Sequence, residues 1–235
     1  MEILCELEPT ADLQTLVDRD HALLAAVHDG QSPALIRLWT SPQGLVVTRR
    51  DSRLPGFADA AQIFADQGWP VAVRTSGGGA VCHGPGCLNV SLIQPEPRER
   101  TFCPDRHYAA LADLVVPALD IAASLAPVSG AYCPGDHDLQ AMGKKIAGLS
   151  QRVRTGKSAD GERKRTTLSH LTLTVEGSAG ALTDQINQFY KQMGDARRFD
   201  PGASASLAEL TGVAVSPADL AHAIAGLSKA RQSAG

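Results

Sequence analysis

Aromatic residues are scarce in this chain: Trp, Tyr and Phe make up 4% of its 235 residues. Leu, Val, Ile and Ala must therefore fill most of the core. The chain also lacks an excess of either charge. Its 22 Lys and Arg stand against 25 Asp and Glu, a net charge of -3. That leaves no global basic field, so no nucleic-acid partner is expected. No apolar run approaches the length of a membrane span, and no membrane association is expected either. The opening Met1-Glu-Ile-Leu-Cys-Glu-Leu-Glu lacks the basic-then-apolar pattern of an export signal. Cysteines are few, at 5, 82, 87, 103 and 133, odd in number and without framework spacing. A reducing cytoplasm and free thiols are the expectation. What is present, 43% hydrophobic and 20% charged residues, is an ordinary globular balance with enough length for a large core.

Along the chain, helical spacing of apolar residues predicts helices over 11–28 (Thr10 as N-cap), 58–67, 106–125 and 182–193. A short helix over 206–212 and a last one, capped by Ser216-Pro-Ala-Asp and running to about Arg231, follow. Strands are predicted over 35–39, 44–48, 71–74, 88–92 and 167–175, with a hairpin at roughly 137–153. Helices and strands alternate irregularly, which predicts a mixed-sheet α/β (α+β) domain. The basic, Gly-containing run 154–166 reads as a solvated hairpin loop or, alternatively, as a docking patch for an acidic partner.

Two stretches carry chemistry. The first is Gly130-Ala-Tyr-Cys133-Pro-Gly-Asp136, followed by Gly143-Lys144-Lys145-Ile-Ala-Gly148. It sets one cysteine in a Pro-Gly turn beside two lysines. A thiol is a useful nucleophile only as thiolate, which nearby cations favour. A cation beside a reacting carbonyl also stabilises the oxyanion. Strand alternation sends Lys145 and Lys144 to opposite faces, and Lys145 is the one expected at the pocket.

The second stretch is Arg74-Thr-Ser76-Gly77-Gly78-Gly79-Ala-Val-Cys82-His83, returning through Leu88-Asn89-Val-Ser91. Three consecutive glycines strip side chains from the backbone, so a ligand can lie against main-chain N–H groups. Arg74 adds a fixed charge, and Asn89 and Ser91 share a strand face. No Gly-Lys-Ser/Thr follows the glycines, and the dinucleotide fingerprint is missing. Cys82, His83 and Cys87 do not match common zinc spacings, so no metal is expected, and His83 is expected to line a pocket or bond locally. Cys5, Cys82, Cys87 and Cys103 read as small buried hydrophobes.

Together, in this order and at this separation, the two stretches resemble the biotin/lipoate protein ligase and octanoyltransferase family over about residues 10–194. The resemblance implies an α/β domain with a narrow pocket for a medium-chain acyl group. It implies that the glycine loop closes over that pocket and that Lys145 bonds the acyl carbonyl. Tyr132-Cys133-Pro-Gly-Asp136 with Asp138-Leu, Gly148, and Asp51-Ser-Arg-Leu-Pro55 are similar to the members that move an octanoyl group from the glycine cleavage H protein. In those members the cysteine matching Cys133 carries the acyl group as a thioester. Expected site residues are thus Cys133 and Lys145 as catalytic groups. Arg74, Ser76, Gly77, Gly78, Gly79, His83, Asn89, Asp138 and Gly148 are expected around the substrate.

The implied partners are lipoyl-domain proteins, the H protein and E2 subunits, as donor and acceptor. The implied ligand is an octanoyl or lipoyl group, and no cofactor is required. His170 and His137 are possible bases. Gly79 and His83 lie closer to the pattern of lipoate-protein ligases, which leaves an ATP- and Mg-using ligase as the alternative. A non-catalytic lipoyl-domain binding module is the third reading. About forty residues follow Gly194, too few for a ligase accessory domain. The expected layout is one catalytic domain over 1–235 with a short helical extension, 205–235.

Overall fold

The structure is a computed structural model, and it describes residues 1–97 and 101–234. In chain order the elements are β1 (Glu2–Glu6), α1 (Leu13–His28), β2 (Leu35–Trp39), β3 (Gly44–Thr48), α2 (Phe57–Asp66), β4 (Val71–Arg74), β5 (Val81–His83) and β6 (Cys87–Pro95). They continue with α3 (Pro104–Val115), β7 (Ser124–Leu125), β8 (Leu139–Ala141), β9 (Lys144–Lys157), β10 (Arg163–Thr174), α4 (Ala179–Gln192), α5 (Leu207–Thr211) and α6 (Pro217–Ala234). A seven-stranded sheet has the order β1-β2-β6-β10-β9-β8-β7, and a three-stranded sheet has the order β4-β3-β5. Both are mixed: β1 with β2 and β3 with β4 are parallel, and the remaining pairs are antiparallel. The mixed α/β architecture expected from the residue pattern is the one found.

The large sheet divides its faces by the period of two. Leu38, Val90 and Leu171 lie side by side across β2, β6 and β10, with Leu88 and Leu173 next along. They pack with Leu111 and Val115 of α3 and Leu220 and Ile224 of α6 into one core. The alternate positions are polar. Arg37, Ser91, His170 and Ser150 form one cross-strand row. Trp39, Asn89, Thr172 and Gly148 form the next. This polar face turns toward α1 and the small sheet. The small sheet packs its other side on Phe64 of α2 and Ile186, Phe189 and Tyr190 of α4. Phe57 and Phe64 meet Phe189 edge-on, with ring centroids 6.3 and 5.1 Å away. Burying each such side chain contributes about 1.5–3 kcal/mol.

Several expectations need correcting. Asp12, not Thr10, caps α1, through a 3.0 Å bond from the Thr15 N–H. The helix expected over 106–125 ends at Val115, because Pro117 offers no N–H and forces Val116–Ala118 into a tight 3-10 turn. The basic run expected to be a loop is strand: β9 and β10 pair as far as Lys157 with Arg163, leaving only the turn between them. The last helix, in the expected 205–235 extension, packs its apolar side into the main core. Cys5 is exposed and Cys103 half-buried, unlike the buried Cys82 and Cys87.

Candidate active site

The glycine loop joins β4 to β5, and its shape is set by side chains that reach it from outside. Arg74 folds back under it. Its Nη2 donates to the Gly77 and Gly79 carbonyls, at 2.9 and 2.8 Å, and its Nη1 to the Val46 carbonyl at 3.3 Å. The charge expected to meet a ligand is thus also the clamp of the loop. Ser150 Oγ donates to the Gly77 carbonyl (3.0 Å). The Ala80 N–H donates to Tyr190 Oη (2.9 Å), which also accepts from Arg197 Nη1 (3.1 Å). Arg197 pairs with the buried Asp51 at 2.9 Å, and Asp51 accepts from Thr48 Oγ1 at 3.0 Å.

Glycine is required at 78: its φ is +99°, and a Cβ there would lie 2.7 Å from Cys133 Sγ. The loop brings the Gly79 N–H to the same sulfur, donating at 2.9 Å.

Cys133 sits in a turn with φ 45°, in the left-handed region. For a non-glycine residue that conformation costs about 1–3 kcal/mol and persists only where neighbours impose it. Lys145 imposes it. Its Nζ donates to the Tyr132 and Cys133 carbonyls, at 2.7 and 3.0 Å, pairs with Asp138 Oδ1 at 2.7 Å and lies over the Tyr132 ring. Lys145 is 1% exposed, whereas Lys144 points outward to the Gly202 carbonyl. The lysine expected to face an acyl carbonyl thus also holds the cysteine turn. Asp138, expected near the substrate, is its counter-ion. Desolvation, only partly offset by Lys145, holds the Asp138 carboxyl above the usual aspartate range. Gly148, which lines the pocket, adjoins the lysine tip: a Cβ there would meet Lys145 Cε and Nζ at ordinary contact distances of 3.4 and 3.5 Å.

Cys133 is 8% exposed, and what it faces is a narrow pocket between the two sheets, roofed by α1. Val17, Trp39, Val46, Val81, Leu149 and Leu168 make its apolar walls. Its polar lining includes Asp20, Arg74, Ser76, His83, Cys133 and His170, and Gly148 also borders it. Asn89 stands one layer behind, accepting from Thr172 Oγ1 at 2.8 Å. His170 Nε2 and Ser76 Oγ are 2.7 Å apart. His137 lies elsewhere, stacked on Tyr108 and paired with Asp105. Burial pushes the Cys87 thiol up to about 12 and holds Cys82 well above the ordinary thiol range, so neither supplies a thiolate. Among the described residues no three metal-ligating side chains stand close enough to hold an ion.

Desolvation lowers His83 to about 3 and His170 to about 4, so both rings are neutral at pH 7. The free histidine value in the unfolded chain is about 6.5. Because the folded values lie below it, the unfolded state takes up protons first as the pH falls. Stability is then full above pH 6.5 and declines toward pH 4. Thermal unfolding between pH 7.5 and 4 should show this loss, and His170→Gln should flatten the curve. An unchanged slope in that variant would mean that His170 charges freely in the folded state.

Sequence reasoning missed Asp51 as a buried anchor, and it missed Tyr190 and Arg197 altogether. Tyr190 left one clue: a tyrosine in the apolar stripe of α4 must find a partner for its hydroxyl.

The chain matches the family model described as the lipoyl protein ligase A/B catalytic domain over residues 12–226. It is 36% identical over 213 residues to an octanoyl-[GcvH]:protein N-octanoyltransferase of Anoxybacillus flavithermus, covering 87% of this chain and 74% of that one. It is 34% identical over 227 residues to the protein of the same name from Geobacillus kaustophilus, covering 92% and 76%. Among solved structures it is similar to lipoate-protein ligase A bound with ATP, with TM-score 0.69, 17% identity and coverage of 95% and 81%. It is also similar to the bipartite lipoate protein ligase of Thermoplasma acidophilum, with TM-score 0.67, 19% identity and coverage of 96% and 82%. Those two structures share its fold; the sequence relatives and the family model carry the kinship, and by them this chain belongs to the lipoyl protein ligase A/B catalytic domain family.

Proposed function

We propose that this chain is an acyltransferase that moves an octanoyl or lipoyl group through a Cys133 thioester onto a lysine of a lipoyl-domain protein. The observation that carries the reading is the strained cysteine turn, its sulfur at an apolar pocket and within reach of the Gly79 N–H. In the first step Cys133 sulfur attacks the carbonyl of an acylated lysine. The S–C bond forms, the C–N bond breaks, and the thiol proton ends on the departing amine. In the second step an acceptor lysine amine attacks the thioester. The C–N bond forms, the S–C bond breaks, and the proton returns to sulfur. The Gly79 N–H, 2.9 Å from the sulfur, is the loop donor that would meet the developing oxyanion. The names of the sequence relatives support octanoyl-GcvH as donor and a protein as acceptor.

Roughly six buried methylenes at about 0.8 kcal/mol each contribute ~5 kcal/mol before entropy losses. That selects a medium chain over acetyl and separates octanoyl from lipoyl weakly.

Neither step consumes ATP. An ATP-using ligase would activate the acid as an adenylate and leave Cys133 without a part. Intact mass after incubation with octanoyl-carrier donors tests the reading. The expected result is a gain of one octanoyl group that hydroxylamine removes. Pyrophosphate release from lipoate and ATP, with no mass gain, would overturn it.

A further inference from the structure

A second concavity starts at the mouth of the acyl pocket and runs along the outer side of the glycine loop. Arg49, Arg50, Gly77, Gly78 and Arg152 border it, and it shares Thr75 and Ser76 with the pocket. Two strands place these arginines. Arg49 and Arg50 follow the last residue of β3 directly. On β9, Ser150 touches the loop at the Gly77 carbonyl, and the period of two brings Arg152 to the same side. All three arginines are exposed, and among the described residues no carboxylate pairs with any of them. Gathering like charges is unfavourable, and this cluster stands on a chain whose net charge is -3. The turn of the β9–β10 ribbon is less free, since Lys164 there pairs with Asp160 and Arg154 reaches Asp29 at 3.7 Å.

We propose that this arginine-lined groove docks an acidic surface of the protein domain that presents the acylated lysine. The proposal rests on the acyl-transfer reading above. An acyl-lysine must pass from a partner's surface into the pocket, and Thr75 and Ser76 mark where the two concavities join. Carboxylates around the modified lysine then meet guanidinium forks, whose planar geometry suits them. Such pairing acts on encounter and partner choice, so its loss raises KM for the carrier and leaves the chemical step alone.

The test compares wild type with Arg49→Glu/Arg50→Glu/Arg152→Glu. The probes are an octanoylated lipoyl-carrier protein, the same carrier with the carboxylates near its modified lysine changed to amides, and p-nitrophenyl octanoate as a carrier-free donor. The triple variant should bind the acidic carrier roughly tenfold or more weakly, and the salt dependence of binding should reverse, because added salt now screens repulsion. Cys133 acylation by the small ester should stay within about twofold of wild type, since no step of that reaction uses the groove. The amide carrier should bind wild type several-fold or more weakly than the acidic carrier does, with little salt dependence, an arm that survives even if the variant misfolds. Unchanged carrier binding in the variant, or equal binding of both carriers to wild type, overturns the proposal. If the acidic carrier binds through the arginines but no donor acylates Cys133, docking stands and the thioester reading falls.

Discussion

Cys133→Ser loses transfer activity at least about a thousandfold, because hydroxyl oxygen at this position has neither the nucleophilicity nor the leaving ability of sulfur. Serine retains an acceptor for the Gly79 N–H and nearly the volume of the thiol. Unfolding should therefore shift by only about 1 kcal/mol. Cys133→Ala removes the acceptor too and should abolish the acyl adduct in intact mass spectra. The decisive comparison is rate against fold: a thermal transition close to wild type with the transfer rate collapsed. Native-rate octanoyl transfer by Cys133→Ser would end the thioester mechanism. The other four cysteines cannot stand in, since Cys82 and Cys87 are sealed thiols and neither Cys5 nor Cys103 lines the pocket.

Lys145→Met separates two parts that one ammonium plays. The substitution keeps most of the stem and removes three donor contacts: to Asp138 and to the carbonyls of Tyr132 and Cys133. Breaking a buried pair by deleting one partner costs about 3–5 kcal/mol, much of it the stranded charge. That is a large share of the roughly 5–15 kcal/mol by which a domain is stable. Adding Asp138→Leu removes the stranded carboxylate, and the double variant should regain most of the lost stability. Its Cys133 acylation should stay depressed, because nothing then ties down the two carbonyls that fix the left-handed turn. Denaturant unfolding and the rate of Cys133 acylation by a small ester read the two effects independently. A double variant that acylates as fast as wild type would reduce Lys145 to a stability element.

What could be read from the residues was local. The glycine loop, Cys133 and Lys145 lie within short stretches, so spacing alone brings their parts together. Strand limits at 35–39, 44–48 and 71–74 follow from apolar runs bounded by turn residues and match the structure. Where contacts are distant in sequence, the pattern was silent. Ala80 and Tyr190 are 110 positions apart, and Tyr190 and Asp51 are 139 apart. The partition of strands was hidden for the same reason: β2 and β3 are neighbours in the chain yet lie in different sheets. Lys145 was found but its contacts were not, because strand alternation says which face a side chain takes and nothing of what waits there. The 154–166 run misled through composition, since charge and glycine outweighed the paired β pattern that continues through it.

The division of β10 between a greasy side and a reactive side carries an evolutionary consequence. His170 and Thr172 look one way, and Leu171 and Leu173 the other. Inserting or deleting one residue there would exchange the two sets at a stroke, drowning imidazole in oil and exposing leucine to the reactants. Descendants of this chain can swap letters along that strand but cannot change its length, so natural variation there should consist of substitutions without gaps.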